Sequence, residues 1–207
     1  MDRTAIMEKI KQYRDTVDTV SGKLNNIDPR FRDDEQKRLR SEIWASEKGG
    51  LDDAANEIRG ARKELQKRRQ AESDPFRSLF KAGYQRAGEV NLGMAMLAES
   101  LDIFETGKLV DLAIEFQNPA LLLKAWTVIK SRENDDTRKD AETRLYKEAH
   151  RFIDTGEVRE AASLERELAQ AELYAIESLG VETAEKKLSL GRTVAALDKI
   201  LVDDPGA

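Results

Sequence analysis

Cysteine is absent from this chain of 207 residues, and histidine occurs only once, at position 150. The absence of thiols excludes disulfide bonds and thiolate metal ligands. A structural zinc site would need carboxylates alone, which zinc seldom uses, and His150 has no second imidazole or thiol as a catalytic partner. The acidic pairs, such as Asp33-Asp34, suit the beginnings of helices. We therefore predict a non-enzymatic protein without catalytic residues, metal, cofactor or small-molecule substrate.

Aromatic residues and long apolar runs are also scarce. Aromatic side chains make up 6% of the chain and charged side chains 36%, a composition typical of long solvated helices and coiled coils. The longest apolar cluster, residues 120–125, includes a lysine and is far shorter than the roughly 20 residues of a membrane-spanning helix. Residues 1–4 lead into an amphipathic pattern without the apolar region of a secretory signal. We expect a soluble, cytoplasmic protein without a membrane partner.

The N-terminal segment, up to Ile27, carries the clearest pattern. Apolar residues recur there at alternating spacings of four and three, which is typical of a coiled-coil seam. A stripe this narrow must be covered by another helix, either from the same chain or from a second copy. The residues that we assign to this helix-seam interface are Ile6, Ile10, Tyr13, Val17, Val20 and Leu24, and Ile27 continues the spacing.

A second, longer helix is predicted after a short break. Residues 25–29 include two asparagines and a proline, which disfavours helical backbone in the residue before it. Asp33 or Asp34 then offers an N-cap, and an amphipathic, charge-rich pattern continues to about residue 71. Because a short connection favours an antiparallel helix pair, residues 1–72 are predicted to form a long antiparallel hairpin. A parallel dimer through the first helix would use the same seam.

Gly49-Gly50 interrupts the apolar spacing of this second helix. Two glycines cost about 2 kcal/mol of helix propensity relative to alanine. We predict a kink or a short break at the pair.

The remaining sequence predicts a bundle of shorter helices. Ser73-Asp74-Pro75 is typical of a helix start, with Ser73 as the N-cap, and it also marks the best domain boundary. Broad apolar stripes follow, including the Met-, Leu- and Ala-rich residues 90–104, and no period-two pattern indicates a strand. A bundle is favoured over a short solenoid because no fixed repeat is present. The prediction is an all-α protein with a hairpin at 1–72, a helical bundle at 73–202 and a disordered tail at 203–207.

Two local signals divide the bundle further. Asn118-Pro119 resembles an N-cap followed by a first helical position and opens the most apolar helix. Thr155-Gly156 is predicted to end a charged helix, with another beginning at Glu157.

A basic run near the end of the hairpin is the one candidate for contacts with nucleic acid. Five cations within eight residues could neutralise phosphates, although basic residues also favour the last turn of a helix through its dipole. The five candidate phosphate contacts are Arg62, Lys63, Lys67, Arg68 and Arg69.

The two tryptophans differ in their expected roles. Trp44 lies on the second helix, where a two-helix hairpin cannot fully bury it. It is a candidate interface anchor, because exposed aromatic residues often anchor protein contacts; burial against the following segment is the alternative. Trp126 lies in the most apolar helix and is expected in the core.

Residues 27–34, with the sequence Ile-Asp-Pro-Arg-Phe-Arg-Asp-Asp, connect the seam helix to a Lys/Arg/Glu-rich helix that continues through Arg69. This arrangement covers the N-terminal third of the chain and resembles small coiled-coil proteins from the capsid and assembly region of tailed bacteriophages. The resemblance implies a structural or scaffolding-like role without catalysis, in the host cytoplasm or the virion. Scaffolding proteins usually end in a basic capsid-binding helix, whereas residues 198–204 are net acidic here, and no binding residue is carried over.

These observations lead to two main hypotheses of function, and an enzyme with an all-carboxylate site that binds a divalent metal is a third. The first is a non-enzymatic assembly or scaffolding-like factor that contacts a protein partner, or a second copy of itself, through helix faces. The alternative is a nucleic-acid-binding or regulatory protein that uses the basic residues between 62 and 69.

Overall fold

The computed structural model describes residues 2–85, 106–131, 136–180 and 184–202. Within these ranges it contains eight α-helices and no strand, which confirms the predicted all-α class. The helices are α1 (Arg3–Asn25), α2 (Asp33–Glu72), α3 (Pro75–Gln85), α4 (Thr106–Phe116), α5 (Pro119–Ser131), α6 (Asp136–Ala149), α7 (Thr155–Leu179) and α8 (Ala184–Val202). A 3₁₀ turn, His150–Phe152, follows α6.

The chain forms two compact units, and their composition differs from the predicted division at residue 72. The first unit combines Met1–Arg69 with Arg159–Ala207, and the second is Gln70–Val158. The reason is that α7 contributes its apolar stripe to the same core as α1 and α2. An apolar stripe in a sequence shows that a helix is covered, but it does not show which helix covers it. The predicted tail at 203–207 and the apolar segment at 90–104 lie outside the described residues.

The N-terminal hairpin is antiparallel, as predicted. Lys9 pairs with Glu57 at 2.7 Å, and Lys23 pairs with Glu47. Residue numbers therefore rise along α1 as they fall along α2. With 40 residues, α2 is about 60 Å long at the rise of an α-helix, whereas α1 has 23 residues.

The predicted kink or break at Gly49-Gly50 is not present as an interruption of the helix, because α2 is continuous from Asp33 to Glu72. Helix propagation is cooperative once nucleated, so the helical turns on either side keep the two glycines in the helical conformation. A Cβ atom added at either glycine would meet nothing within 4 Å.

Aspartate and asparagine side chains cap four helices in the described ranges, in part as expected, and Asp2 is the cap of α1. Asn118 accepts hydrogen bonds from the amides of residues 120 and 121, which confirms the predicted start of α5. The N-cap of α3 is Asp74 and not Ser73, since its carboxylate accepts from the amide of Phe76 at 2.9 Å. Asp154 likewise caps α7, so Thr155-Gly156 begins a helix and does not end one.

The start of α2 also differs slightly from the prediction. Asp33 is already the first helical residue, and Asp33 and Asp34 lie in the first turn. Their negative charges there favour the helix through its dipole.

The second unit has its own core, built by α3 to α6. Short helices with wide apolar faces bury small and branched side chains against one another. The fully packed members of this core are Leu79, Leu109, Val110, Ala113, Leu121, Leu122, Ala125, Val128, Ile129, Ala141, Leu145 and Ala149.

Candidate functional site

The predicted seam of α1 is covered within the chain itself. Five of its six residues are buried, and Leu24 is partly buried at the edge of the same cluster. The covering side chains come from α2 (Leu51, Ile58, Ala61, Leu65) and α7 (Leu164, Leu168, Ala171, Ala175). Because two helices of the same chain occupy the seam, it is part of a core and does not present an open apolar stripe.

The basic run on α2 lies against acidic residues of α7. Arg62 Nε lies 3.3 Å from Glu172 Oε1, and Arg69 Nε donates to Glu165 Oε2 at 2.8 Å. A longer pair, Arg68 with Glu160, measures 3.5 Å. Three of the five candidate phosphate contacts are therefore already paired with carboxylates.

The first two of these ion pairs share one spacing. Arg62 and Arg69 are seven residues apart, as are Glu165 and Glu172, and the pairing runs in opposite directions along the two helices. Glu165 and Glu172 are only 3% and 6% exposed. A buried charge without a partner is costly, so a shift of α7 along α2 that separated these pairs would be penalised.

Lys63 and Lys67 complete the basic run and are exposed. Neither forms an ion pair with any residue in the described part of the chain. The hypothesis of phosphate contacts stays a prediction. The basic run now offers two cations for phosphate instead of the five that were counted in the sequence. Salt-sensitive retention of DNA or RNA is the measurement that tests it.

The end of the hairpin, residues 26–50, has a different character from the rest of the first unit. None of these residues is buried, and the first buried residue of α2 is Leu51. Glu172 of α7 lies opposite Arg62 of α2, and α7 ends seven residues later, at Leu179. Because the two helices are antiparallel, Leu179 lies opposite about residue 55 of α2, seven residues before Arg62. The first turns of α2 thus continue beyond α7, accompanied by the connection from α1. We refer to residues 26–50 as the hairpin end.

Apolar side chains remain accessible on the hairpin end. Phe31 is 41% exposed, whereas Ile27, Leu39 and Ile43 are partly buried. The connection is held to α2 by Gln36, whose side-chain amide donates to the carbonyl of Phe31 at 2.8 Å.

A pocket lies where the hairpin end meets the four-helix part of the first unit. Its volume is about 130 Å³. The apolar lining is Tyr13, Trp44, Leu51, Ala55, Ala175, Ile176 and Leu179, and the charged lining is Asp52, Arg59, Glu172 and Lys186. Trp44 is partly buried and packs against the first core, so it contributes one wall of this pocket and is neither fully exposed nor a core residue. Its role as an interface anchor stays a prediction.

The sequence contained a signal for this region that the sequence-based interpretation missed. Glu165 and Glu172 occur at heptad spacing beside the apolar stripe of α7, and Arg62 and Arg69 occur at the same spacing on α2. From the sequence, the basic run suits either the last turn of a helix or a phosphate site, because a matching acidic helix far along the chain cannot be assigned from spacing alone.

Aromatic side chains cluster in the second unit. Phe76 stacks on Trp126 with ring centroids 3.7 Å apart, and the ammonium of Lys130 lies 4.7 Å from the Trp126 ring. Trp126 was expected in the core and is partly buried at its margin. His150 is exposed; its Nδ1 lies 2.8 Å from the carbonyl oxygen of Tyr146.

Glu142 in α6 has a perturbed pKa. Arg138 Nε donates to its carboxylate at 2.8 Å, and Lys130 Nζ lies 3.3 Å away. The hydrogen bond from Arg138 is the main cause that lowers the pKa of Glu142, with Lys130 contributing further and partial desolvation acting in the opposite direction. In the described ranges, no three His, Asp or Glu side chains converge as metal ligands would.

Comparison of the chain with protein-family models, with curated proteins and with solved structures gave no match. None of the helices in the described residues combines the length and the apolar character needed to cross a bilayer.

Proposed function

We propose that the chain is a non-enzymatic helical interaction protein that associates with a second copy of itself through the hairpin end. One observation supports this above the others: α2 extends from Asp33 through Gly50 before its first buried side chain, Leu51. This extension carries the partly buried Leu39 and Ile43 and follows the exposed Phe31. Its apolar side chains are thus only partly covered by the chain itself, which leaves a face for another helix.

The form of association differs from the one expected from the sequence. The seam of α1 is covered by α2 and α7, so it has no free face for a partner. The hairpin end contains six basic and six acidic residues between positions 26 and 50, and such mixed charge suits contact with a like surface. A structural or scaffolding-like role, as in the bacteriophage assembly proteins that the N-terminal third of the chain resembles, is consistent with this proposal.

Sedimentation equilibrium over a wide concentration range tests the proposal. The parent chain is expected to associate, and Phe31→Glu is expected to weaken association at least about tenfold, because burying a phenylalanine contributes about 1.5–3 kcal/mol. Leu188→Glu on α8 is the matched control, since Leu188 is 56% exposed in the same unit and is not part of residues 26–50. Circular dichroism establishes that both variants fold.

Two results would contradict the proposal. One is a parent chain that stays monomeric at high micromolar concentration. The other is an equal loss of association in the Phe31 and Leu188 variants, which would indicate a general effect of an added charge.

A further inference from the structure

The pocket of the first unit is formed by four helices that already pack together. Tyr13 comes from α1, Trp44 and Leu51 from α2, Ala175 from α7 and Lys186 from α8. Tyr13, Leu51 and Ala175 are buried. These walls therefore belong to the packed core, and the pocket exists without rearrangement of a loop.

The size of the pocket limits what it can hold. The space arises where two alanines, Ala55 and Ala175, stand among larger side chains. A volume of about 130 Å³ is slightly smaller than the roughly 150 Å³ of an apolar cavity that accommodates benzene. A single aromatic ring is of about this size, whereas a nucleotide or a multi-ring cofactor is larger than the pocket.

The charged lining opposes an ionic occupant. Asp52 and Glu172 contribute two carboxylates, and Arg59 and Lys186 contribute two cations. Glu172 is 6% exposed and lies 3.3 Å from Arg62 Nε, while Arg59 Nε donates to the carbonyl of Ala55 at 3.2 Å. A charged ligand would lie close to groups of its own charge as well as to groups of the opposite charge. A neutral ring with one hydroxyl would instead find hydrogen-bond donors and acceptors at its edge.

The aromatic side chains determine the remaining preference. Trp44 and Tyr13 both line the pocket, and aromatic rings favour offset or edge-to-face contact with another ring. We propose that this pocket is a binding site for a single neutral aromatic ring. The ring can belong to a small molecule or to Phe31 of a second copy, and only the second source depends on the proposed self-association.

Two-dimensional ¹H–¹⁵N NMR of the full chain tests the site, with benzyl alcohol as the probe. The chain has two tryptophans, so the indole N–H region reports Trp44 in the pocket and Trp126 in the second unit. Trp126→Phe assigns the two signals. Benzyl alcohol is expected to shift the Trp44 signal saturably and to leave the Trp126 signal in place. The absence of a saturable shift at Trp44, or equal shifts at both indoles, would overturn the proposal.

A variant that fills the pocket provides the second measurement. Ala55→Leu is expected to weaken benzyl alcohol binding at least about tenfold, because the added atoms occupy the same space and packed walls do not yield without cost. Ala195→Leu on α8 is the matched control, since Ala195 is exposed and does not line the pocket. If Ala55→Leu does not fold, Ala55→Val adds less volume at the same place. Unchanged binding in a folded Ala55 variant would place the probe elsewhere and overturn the proposal.

Charged analogues of the same size test the preference for a neutral ring. Benzylammonium and benzoate are each expected to bind at least about fivefold more weakly than benzyl alcohol, because each meets a like charge among the four ionic groups. Tighter binding of either ion would contradict the neutral-ring assignment.

The source of the ring is distinguished by competition. If Phe31 of a second copy occupies the pocket, benzyl alcohol dissociates the oligomer and Phe31→Glu leaves probe binding to the monomer intact. If benzyl alcohol binds and association is unchanged, the site serves a small aromatic molecule. Either result supports the ring site. Failure of the hairpin end to associate would leave the NMR titration as an independent measurement of the pocket.

Discussion

The two compact units form their cores in different ways. The second unit is continuous in sequence and uses helices of 11 to 14 residues in its described part, with side-chain caps at Asp74 and Asn118. The first unit uses helices of 19 to 40 residues from both ends of the chain. Long charged helices have narrow apolar faces, so a hairpin alone leaves its core incomplete, and α7 supplies the missing face.

The two units also differ in how they use charge. In the second unit, ion pairs such as Arg138 with Glu142 lie near the surface along one helix. In the first unit, Arg62 and Arg69 on α2 reach buried carboxylates of α7. Buried pairs at heptad spacing disfavour any register that would separate the charges.

The largest expected effect concerns the discontinuous first unit. Ile58→Ala removes a fully buried side chain and is expected to reduce stability by about 2–5 kcal/mol. Hydrogen–deuterium exchange should then increase in α1, α2 and in residues 159–202, but not in α4 to α6. Ile129→Ala is the matched control in the second core and should give the opposite distribution. If residues 159–202 lost protection from exchange in the Ile129 variant and not in the Ile58 variant, the division into these two units would be refuted.

A smaller effect is expected from the ion pair of Arg69 with Glu165. Glu165→Gln leaves a partly buried guanidinium without its carboxylate, and we expect a loss of about 1–3 kcal/mol in urea unfolding. The double variant Arg69→Met with Glu165→Leu should recover most of that loss, since it removes both charges. Arg68→Ala is the comparison at a more exposed ion pair and should cost at most about 1 kcal/mol. Equal costs for Glu165→Gln and Arg68→Ala would argue against a register role.

Gly49 and Gly50 offer a stabilising change in the long helix. Gly49→Ala with Gly50→Ala is expected to raise the free energy of unfolding by about 1–2 kcal/mol, because both sites are helical and open to a Cβ. Gly180→Ala is the contrasting variant, since its φ of +64° favours glycine, and it should destabilise the chain by about 1 kcal/mol. Thermal unfolding measures both. Destabilisation by the paired alanines would indicate that the glycines are needed for a bend.

The smallest effect is the pH dependence from Glu142 in the second unit. Its pKa is lowered from the ordinary value of 4.5, mainly by the hydrogen bond from Arg138. A lowered folded-state pKa contributes stability above the unfolded value, and this contribution is lost as the pH falls through the folded value. Glu142→Gln should therefore remove a small part of the acid sensitivity below about pH 4.5. An acid-unfolding curve identical to that of the parent would show that the interaction is screened by solvent.

Much of the local structure followed from the sequence because it depends on neighbouring residues. The seam from Ile6 to Val20 was recognised from its spacing, and all of its positions in that range are buried. The break after Asn25 and the start of α5 at Pro119 were also recognised. The errors at Ser73 and Thr155 have one cause: an adjacent aspartate reaches the free helix amides and defines the N-cap.

The pocket and the ion pairs could not be predicted in the same way. Trp44 and Ala175 lie far apart in the sequence, and no periodicity relates them. Their proximity depends on how α7 lies along α2, which is decided by packing volume and by the pairing of Arg62 with Glu172.

By itself, the sequence determined the all-α class, the hairpin of α1 and α2 and the need for a cover on the seam, since helical periodicity and capping act between residues a few positions apart. Only the tertiary structure decided that α7 provides this cover, that three basic residues of α2 face carboxylates, and that Trp44 borders a pocket. Apolar burial is non-directional, so it requires a partner surface without specifying which one.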